Sequence, residues 1–538
     1  MALSLFSDFE NFTVFRPGPQ HEKSVNDSGT ARLSPMIELQ QGWQLRISRG
    51  QPFRAGPPPF VTGSLRGTFP AEPSCKRKGD IELMPTHSLP HVIIVGGGFA
   101  GLNAARALAA APVEVTLVDR RNHHVFQPFL YQVATASLSP ADISAPIRTV
   151  LRGQDNCEVV LAEVTGVDVE ERRVRLGGGH VQYDYLILAT GATHAYFGHD
   201  DWAPIAPGLK SLEDAVEMRR RILLAFESAE QEGNAASRRA ALTFAIVGGG
   251  PTGVELAGAI KEIAGQTIAK EYKHIDTRTT RVILFEGGDR LLPTFDPSLS
   301  ARAQRDLERM EVEVRLKAIV TNVTRDGVYI GNAFIPVRNV FWAAGVKASP
   351  LGKALGVPLD RAGRVIVGPD LTIPAHPEVF VAGDLAAAKS AVTGKPVPGV
   401  AQGGMQMGRY AGEIIAREVR TVREGRSVRE RRAFEYRDKG SMAVIGKSRA
   451  VADLFGRWKV GGFVAWLMWG MIHILFLIGF RNRLQVMLAW FWNWLLNARD
   501  VRLISGDARL DILVARSEDF IPEEKVLTRT APEGGGKP

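Results

Sequence analysis

The stretch HVIIVGGGFAG, His91 to Gly101, decides the fold. A short strand-like run, HVIIV, passes directly into three glycines, and the helical pattern FAGLNAARALAAA follows. Gly96, Gly98 and Gly101 match G-x-G-x-x-G in the context that motif requires, between a strand and a helix. Glycine there permits a tight turn and close approach of backbone to a pyrophosphate, whose charge meets the helix amino end. VEVTLV is the next strand, and Asp119 ends it 18 residues after Gly101, placed for a ribose hydroxyl pair.

The unit recurs 152 residues later as TFAIVGGGPTG, Thr243 to Gly253. Gly248, Gly250 and Gly253 repeat the motif, and Glu286 ends the strand RVILF. Glu286 lies 33 residues beyond Gly253, where about 20 is usual. The segment GQTIAKEYKHIDTRTT reads as an insertion in the crossover and accounts for the excess. A carboxylate at this place repels a 2′-phosphate, so NADH is expected over NADPH.

Apolar runs alternating with helical patterns predict parallel sheets and an α/β fold with two Rossmann-like dinucleotide-binding domains. VFVAGDLA, Val379 to Ala386, is a further buried strand that returns the first sheet, with Gly383 and Asp384 at its end. YLILATGA (Tyr185 to Ala192, with Thr190 and Gly191) and VFWAAGV (Val340 to Val346) are strand-to-glycine exits at domain crossings. The second domain, 209–340, is therefore expected as an insertion within the first, 88–208 and 341–415. Two dinucleotides in one chain suggest a flavin, non-covalently held FAD, that accepts hydride from NADH. Residues 1–83 hold 17 Pro and Gly and read as a disordered extension, with Met84 as the expected functional start. Residues 416–500 form a membrane-associating helical region and 501–538 a tail.

The net charge of +9 is concentrated between Arg417 and Lys459, where 13 Lys and Arg meet 6 Asp and Glu. No nucleic-acid recognition motif accompanies it, so anionic lipid headgroups or plain solvation explain the run. Two cysteines, Cys75 and Cys157, are not spaced as a pair. That argues against a Cys-x-x-Cys redox centre, an iron–sulfur site and a zinc ribbon. His123 and His124 make no chelating set, and no metal is assigned.

VGGFVAWLMWGMIHILFLIGF, Val460 to Phe480, holds one ionisable residue, His473. As a single helix it would reach about 31 Å, enough for a hydrocarbon core of about 30 Å. Its basic flanks, Arg457 and Lys459 before and Arg481 and Arg483 after, set no orientation. Six of nine tryptophans fall between Trp458 and Trp494, a concentration suited to headgroup depth. Monotopic docking is favoured over true crossing.

Several stretches together resemble the type II NADH dehydrogenases, the non-electrogenic NADH:quinone oxidoreductases, over about 91–500. FQPFLYQVATASLSP is similar to that family's segment after the first acid, with Phe129 where leucine is usual. AQGGMQMG resembles its quinone-site helix, met here by Ala401, Gln402 and Gln406; Gly404 departs from the usual alanine, which would loosen the helix start. YRDKGSMAVIGKSRAVAD and FVAWLMWGMIHILFLIGFRNRL resemble its carboxyl-terminal region. The resemblance implies transfer of electrons from NADH through FAD to a lipid quinone, ubiquinone or menaquinone, without proton pumping. It implies attachment to membrane lipids at the cytoplasmic face of a bacterial inner membrane. Cofactor contacts are implied at Gln127, Thr190, Gly191, Gly383, Asp384, Ala401 and Gln402. Gln402 and Gln406, one helical turn apart, are implied near flavin and quinone. Glu255 reads either as a proton-transfer group or as an ordinary buried or capping glutamate. Lys439 reads either as its partner or as a surface lysine. A homodimer is compatible with this reading, and no residue argues for it. A flavoprotein with another acceptor, or a membrane-docked NADH sensor, is the alternative.

Overall fold

The computed structural model describes residues 89–496, 499 and 501–505, so the extension expected over 1–83, the expected start at Met84 and most of the tail lie outside the described residues. The chain begins with β1 (His91–Val95), α1 (Phe99–Ala107), β2 (Glu114–Asp119), α2 (Leu130–Ala134), β3 (Cys157–Leu161) and β4 (Tyr185–Leu188). A second unit follows, α3 (Leu212–Gln231), β5 (Thr243–Val247), α4 (Pro251–Glu262), β6 (Arg281–Phe285), β7 (Val312–Arg315) and β8 (Asn339–Trp342). The chain returns through β9 (Thr372–Ile373), β10 (His376–Val381) and α5 (Ala401–Arg423). It closes with β11 (Ser441–Gly446), β12 (Arg449–Leu454), β13 (Trp458–Gly462), α6 (Phe463–Phe476) and α7 (Phe480–Leu496).

Two sheets result. The first has the order β9-β10-β4-β1-β2-β3 and the second β7-β6-β5-β8. β1 pairs in parallel with β2 and β4, and β5 pairs in parallel with β6 and β8. Every residue of β1 and β5 is buried, as expected where helices cover both faces of a parallel sheet. The second sheet's strands fall, in chain order, between β4 and β10 of the first. The outward and return crossings run side by side, Ala192–His194 pairing antiparallel with Val346–Ala348.

The carboxyl-terminal region is no appendage. Ala443, Ile445, Val451, Trp469 and Val486 share one buried cluster with Phe244, Ile260 and Leu284 of the second unit. β11, β12 and β13 form an antiparallel meander, and Gly258 of α4 is what lets it dock. A Cβ there would lie 1.7 Å from the Ile445 carbonyl oxygen, so any larger residue pushes β11 away.

The structure corrects one expectation. Val460–Phe480 is not a single helix, because Val460, Gly461 and Gly462 end β13 and the chain breaks again at Leu477–Gly479. Leu477 is extended and Gly479 takes φ +90°, a left-handed value that stops helix propagation. Between the breaks α6 has 14 residues, about 21 Å at ~1.5 Å each. Among the described residues no helix is long and apolar enough to cross a membrane. Apolar composition alone hid the breaks, since a few near-neutral glycines among Val, Phe, Trp, Leu, Met and Ile leave the average hydropathy of the segment high.

Candidate active site

Both glycine loops sit at the carboxyl ends of their central strands. In each, the first and third glycines are required by packing and the middle one faces open space. A Cβ on Gly96 would lie 2.5 Å from Ala189 O and one on Gly101 1.8 Å from Gly96 O, while one on Gly98 meets nothing within 4 Å. Gly248, Gly253 and Gly250 repeat that pattern against Ala343, Gly248 O and open space. The open position at each middle glycine is where a bulky phosphate can approach the backbone.

The acids reach back into their own loops. Asp119 Oδ2 accepts from Gly97 N at 2.6 Å and Glu286 Oε2 from Gly249 N at 2.6 Å. The extra residues before Glu286 are placed without disturbing this, partly as a π-helical turn, Ile263–Thr267, that extends α4. Around the first loop three buried polar atoms have no protein partner: His123 Nε2, His124 Nε2 and Thr190 Oγ1. Burial pushes His124 down to about 4, so its ring is neutral, and its Nδ1 is 3.1 Å from Gly97 O. Open backbone beside Gly98 and unpartnered polar atoms beside it fit a dinucleotide such as FAD. Gly191 (φ +68°) and Gly383 (φ +73°) are in left-handed turns at the ends of β4 and β10, the two strands neighbouring on β1's other side. Gln127 lies exposed at the start of a short 3-10 turn, Gln127–Phe129. Asp384 follows Gly383 in a 3-10 turn, Gly383–Leu385.

α5 lies against α1 at close range. A Cβ on Gly408 would be 2.0 Å from Ala100 O and one on Gly412 2.7 Å from Ala104 O. Gly404 has room for one, its nearest neighbour being 3.7 Å away, so the missing methyl leaves the helix start intact. Gln402 and Gln406 spend their amides on the backbone of 437–440. Gln402 Nε2 donates to Gly440 O at 2.9 Å and its Oε1 accepts from Lys439 N at 3.1 Å. Gln406 does the same with Arg437 O and N, both at 2.9 Å. The structure thus brings Gln402, Gln406 and Lys439 together along one connecting segment, which continues into β11.

β11 leads from that cluster to Glu255 on α4, whose Oε1 accepts from Val444 N at 3.4 Å. Burial pushes the Glu255 carboxyl up to about 8, so it holds its proton at neutral pH. It lines a cavity of about 450 Å³ bounded by α4, β11, α6 and α7. Tyr131, Gln132, Trp466, Trp469 and Trp490 are among the other walls. Leu467, Met471 and Met487 also line it and are 51%, 62% and 51% exposed, so the cavity opens on the outer face of α6 and α7. Arg499 closes another side, buried, donating to Thr135 O at 3.0 Å, Ala259 O at 3.3 Å and Glu262 Oε2 at 2.8 Å.

α7 turns Asn482, Val486 and Trp490 inward and a row of large apolar side chains outward. Asn482 donates to Ser144 O at 3.0 Å and Trp490 Nε1 to Gln132 Oε1 at 2.7 Å. Phe480, Leu484, Leu488, Phe491 and Leu495 are exposed on the other side. His473 points inward, stacked on Trp469 at 4.5 Å, and burial holds it down to about 4. Sequence reasoning missed Tyr131, Gln132, Trp490 and Arg499 as cavity residues. The available signal was a Tyr-Gln pair inside the apolar run FLYQVA.

Fold and loops define a pyridine-nucleotide oxidoreductase with two dinucleotide sites. A family model described as pyridine nucleotide-disulphide oxidoreductase matches residues 90–408, and an NDH2 C-terminal domain model matches 439–500. The type II NADH:quinone oxidoreductase NdhA of Mycobacterium tuberculosis is 45% identical over 77% of this chain and 89% of its own length. The same organism's type II NADH:quinone oxidoreductase Ndh is 44% identical over 76% and 89%. The chain belongs to the type II NADH:quinone oxidoreductase family. A solved structure of NDH2 from Plasmodium falciparum in complex with NADH shares the fold, with a TM-score of 0.69 at 20% identity, covering 78% of this chain and all of that one.

Proposed function

We propose that the chain transfers electrons from NADH through FAD to a lipid quinone, ubiquinone or menaquinone, without pumping protons. Residues 88–208 and 341–415 would hold FAD, at Gly96, Gly98, Gly101 and Asp119, with Gln127, Thr190, Gly191, Gly383, Asp384, Ala401 and Gln402 around it. Residues 209–340 would hold NADH at Gly248, Gly250, Gly253 and Glu286. FAD held there would supply the two-electron chemistry that links NADH to the acceptor. Quinone reduction also consumes two protons, one arriving with the hydride and one from water. Glu255 is the group to deliver a proton inside the cavity, since it is protonated at neutral pH and reaches the space a quinone head would fill.

The single observation that carries the acceptor reading is the cavity itself. Its inner wall holds a carboxyl and a phenol, and its rim is exposed apolar side chains. A lipid quinone has that same division, a polar ring on an apolar tail. The exposed outer face of α6 and α7 would lie monotopically in one leaflet, with Arg481 beside Phe480 at headgroup depth, on the cytoplasmic side of a bacterial inner membrane. Gln402 and Gln406 would then act by holding the backbone of Arg437, Lys439 and Gly440, which leads into β11, in register.

The test compares acceptors in detergent-purified protein. NADH oxidation should be stimulated by a short-chain quinone and little by oxygen or a dithiol substrate. Absence of quinone stimulation would sink the reading.

A further inference from the structure

We propose that Tyr131 donates a hydrogen bond to the carbonyl oxygen of the acceptor, and that Trp490 sets the direction of that bond through Gln132. The proposal rests on the quinone reading above and adds to it a donor and a positioning residue.

The direction follows from which groups can only donate. An indole N–H has no acceptor capacity. The Gln132 atom 2.7 Å from Trp490 Nε1 must therefore be the carbonyl oxygen, Oε1. That fixes the amide, because a flipped Gln132 would set two donors face to face. Its NH2 then faces the other way, 3.1 Å from Tyr131 Oη. An amide NH2 likewise only donates, so the phenol oxygen is the acceptor of this bond. The O–H proton of Tyr131 is left to point elsewhere. Tyr131 and Gln132 are 7% and 6% exposed, and both line the cavity that Glu255 also lines. A carbonyl oxygen placed in that cavity is the partner the proton can reach. Negative charge gathers on this oxygen as electrons arrive, so the bond strengthens toward the transition state and favours the rate over ground-state binding.

The chain of donors begins on α7, the helix whose opposite face is exposed and apolar. Trp490 is also held against Phe129 at 5.3 Å and Trp469 at 5.3 Å, so the indole has little freedom to turn. A positioning role of this kind needs such a rigid first member.

The experiment uses the full chain in detergent and two acceptors, a short-chain benzoquinone and ferricyanide, the latter a soluble one-electron acceptor that needs no apolar cavity. The ratio of the two rates is the readout. Tyr131→Phe should lower it about tenfold or more, with the loss in kcat rather than KM. Trp490→Phe, which keeps a ring and removes the N–H, should lower the ratio less and in the same direction. The double variant should lose no more than Tyr131→Phe alone, because Trp490 acts only through Tyr131. Gln132→Met, close in shape and unable to relay, should match Trp490→Phe and serves if that variant does not fold. An unchanged ratio in Tyr131→Phe with a lowered ratio in Glu255→Gln overturns the proposal and leaves the acceptor site standing. An unchanged ratio in both overturns the acceptor site itself. Losses that multiply in the double variant remove Trp490 from the chain.

Discussion

At the first loop a methyl on Gly101 would sit 1.8 Å from Gly96 O, and at the second a methyl on Gly253 would sit 1.9 Å from Gly248 O. The acids match as closely, Asp119 accepting from Gly97 N and Glu286 from Gly249 N, both at 2.6 Å. What differs is the cover on the following helix. α1 is sealed by α5 through Gly408 and Gly412, whereas α4 is met by β11 through Gly258 and opens beside it into the cavity at Glu255. Two nearly identical phosphate cradles therefore serve different ends. The proposed function puts a dinucleotide in each cradle and the acceptor beside α4.

The largest effects should come from breaking each cradle separately. Gly101→Ala should abolish flavin binding, read as loss of the visible absorbance of the purified protein. Gly253→Ala should leave the protein yellow and raise the NADH KM by about tenfold or more, as expected when a methyl displaces backbone from a phosphate. A colourless Gly253→Ala protein would refute the division of labour.

The cover on α4 is tested by pH. Glu255 holds its proton up to about 8, so quinone reduction should fall as pH rises through that value. Glu255→Gln should be slower at neutral pH and lack this alkaline limb; an unchanged limb would remove Glu255 as its source. The same raised pKa makes the fold less stable as pH rises from 4.5 through about 8, because the folded state keeps a proton that the unfolded chain has released. Glu255→Gln should therefore gain in Tm relative to the parent at pH 9 and not at pH 4.

Smaller effects sharpen the comparison of the acids. In Glu286→Gln the amide oxygen can still accept one N–H, but the charge is gone. Discrimination against NADPH, measured as the ratio of kcat/KM values, should relax by roughly tenfold, the size of one partly screened charge contact. The smallest effect concerns the cover on α1. Gly404→Ala adds a methyl at ordinary contact distance, 3.7 Å, from its neighbours and should stabilise by about 0.5–1 kcal/mol in a denaturant midpoint. Gly408→Ala, one turn on, must displace Ala100 and should destabilise.

Much of this arrangement is legible in the residues. G-x-G-x-x-G between strand and helix is a local demand, since turn geometry and phosphate approach depend on neighbours in sequence. Asp119 and Glu286 are legible because each ends the strand beside its loop. The end of the chain is less so. Val460–Phe480 has the composition of a membrane span, and only pairing of β13 with β12 takes its first three residues out of the helix. Gln402 and Gln406 are legible as a one-turn pair, but their partners, 31 to 38 residues away, are not. Trp490 meets Gln132 across 358 positions, a distance at which no periodicity speaks.

The sequence by itself determined that two dinucleotide loops are present, that each is followed by a carboxylate at a strand end, and that an apolar, tryptophan-rich end accompanies them. Those features rest on local chemistry: backbone freedom at glycine, charge at a strand end, side-chain transfer from water. Only the tertiary structure decided that this end is two short helices rather than a span, and that they wall a cavity with Glu255 and Tyr131 on its inner side. Burial, and with it the proton on Glu255, is a property of what packs around a residue, and that is fixed when distant segments meet.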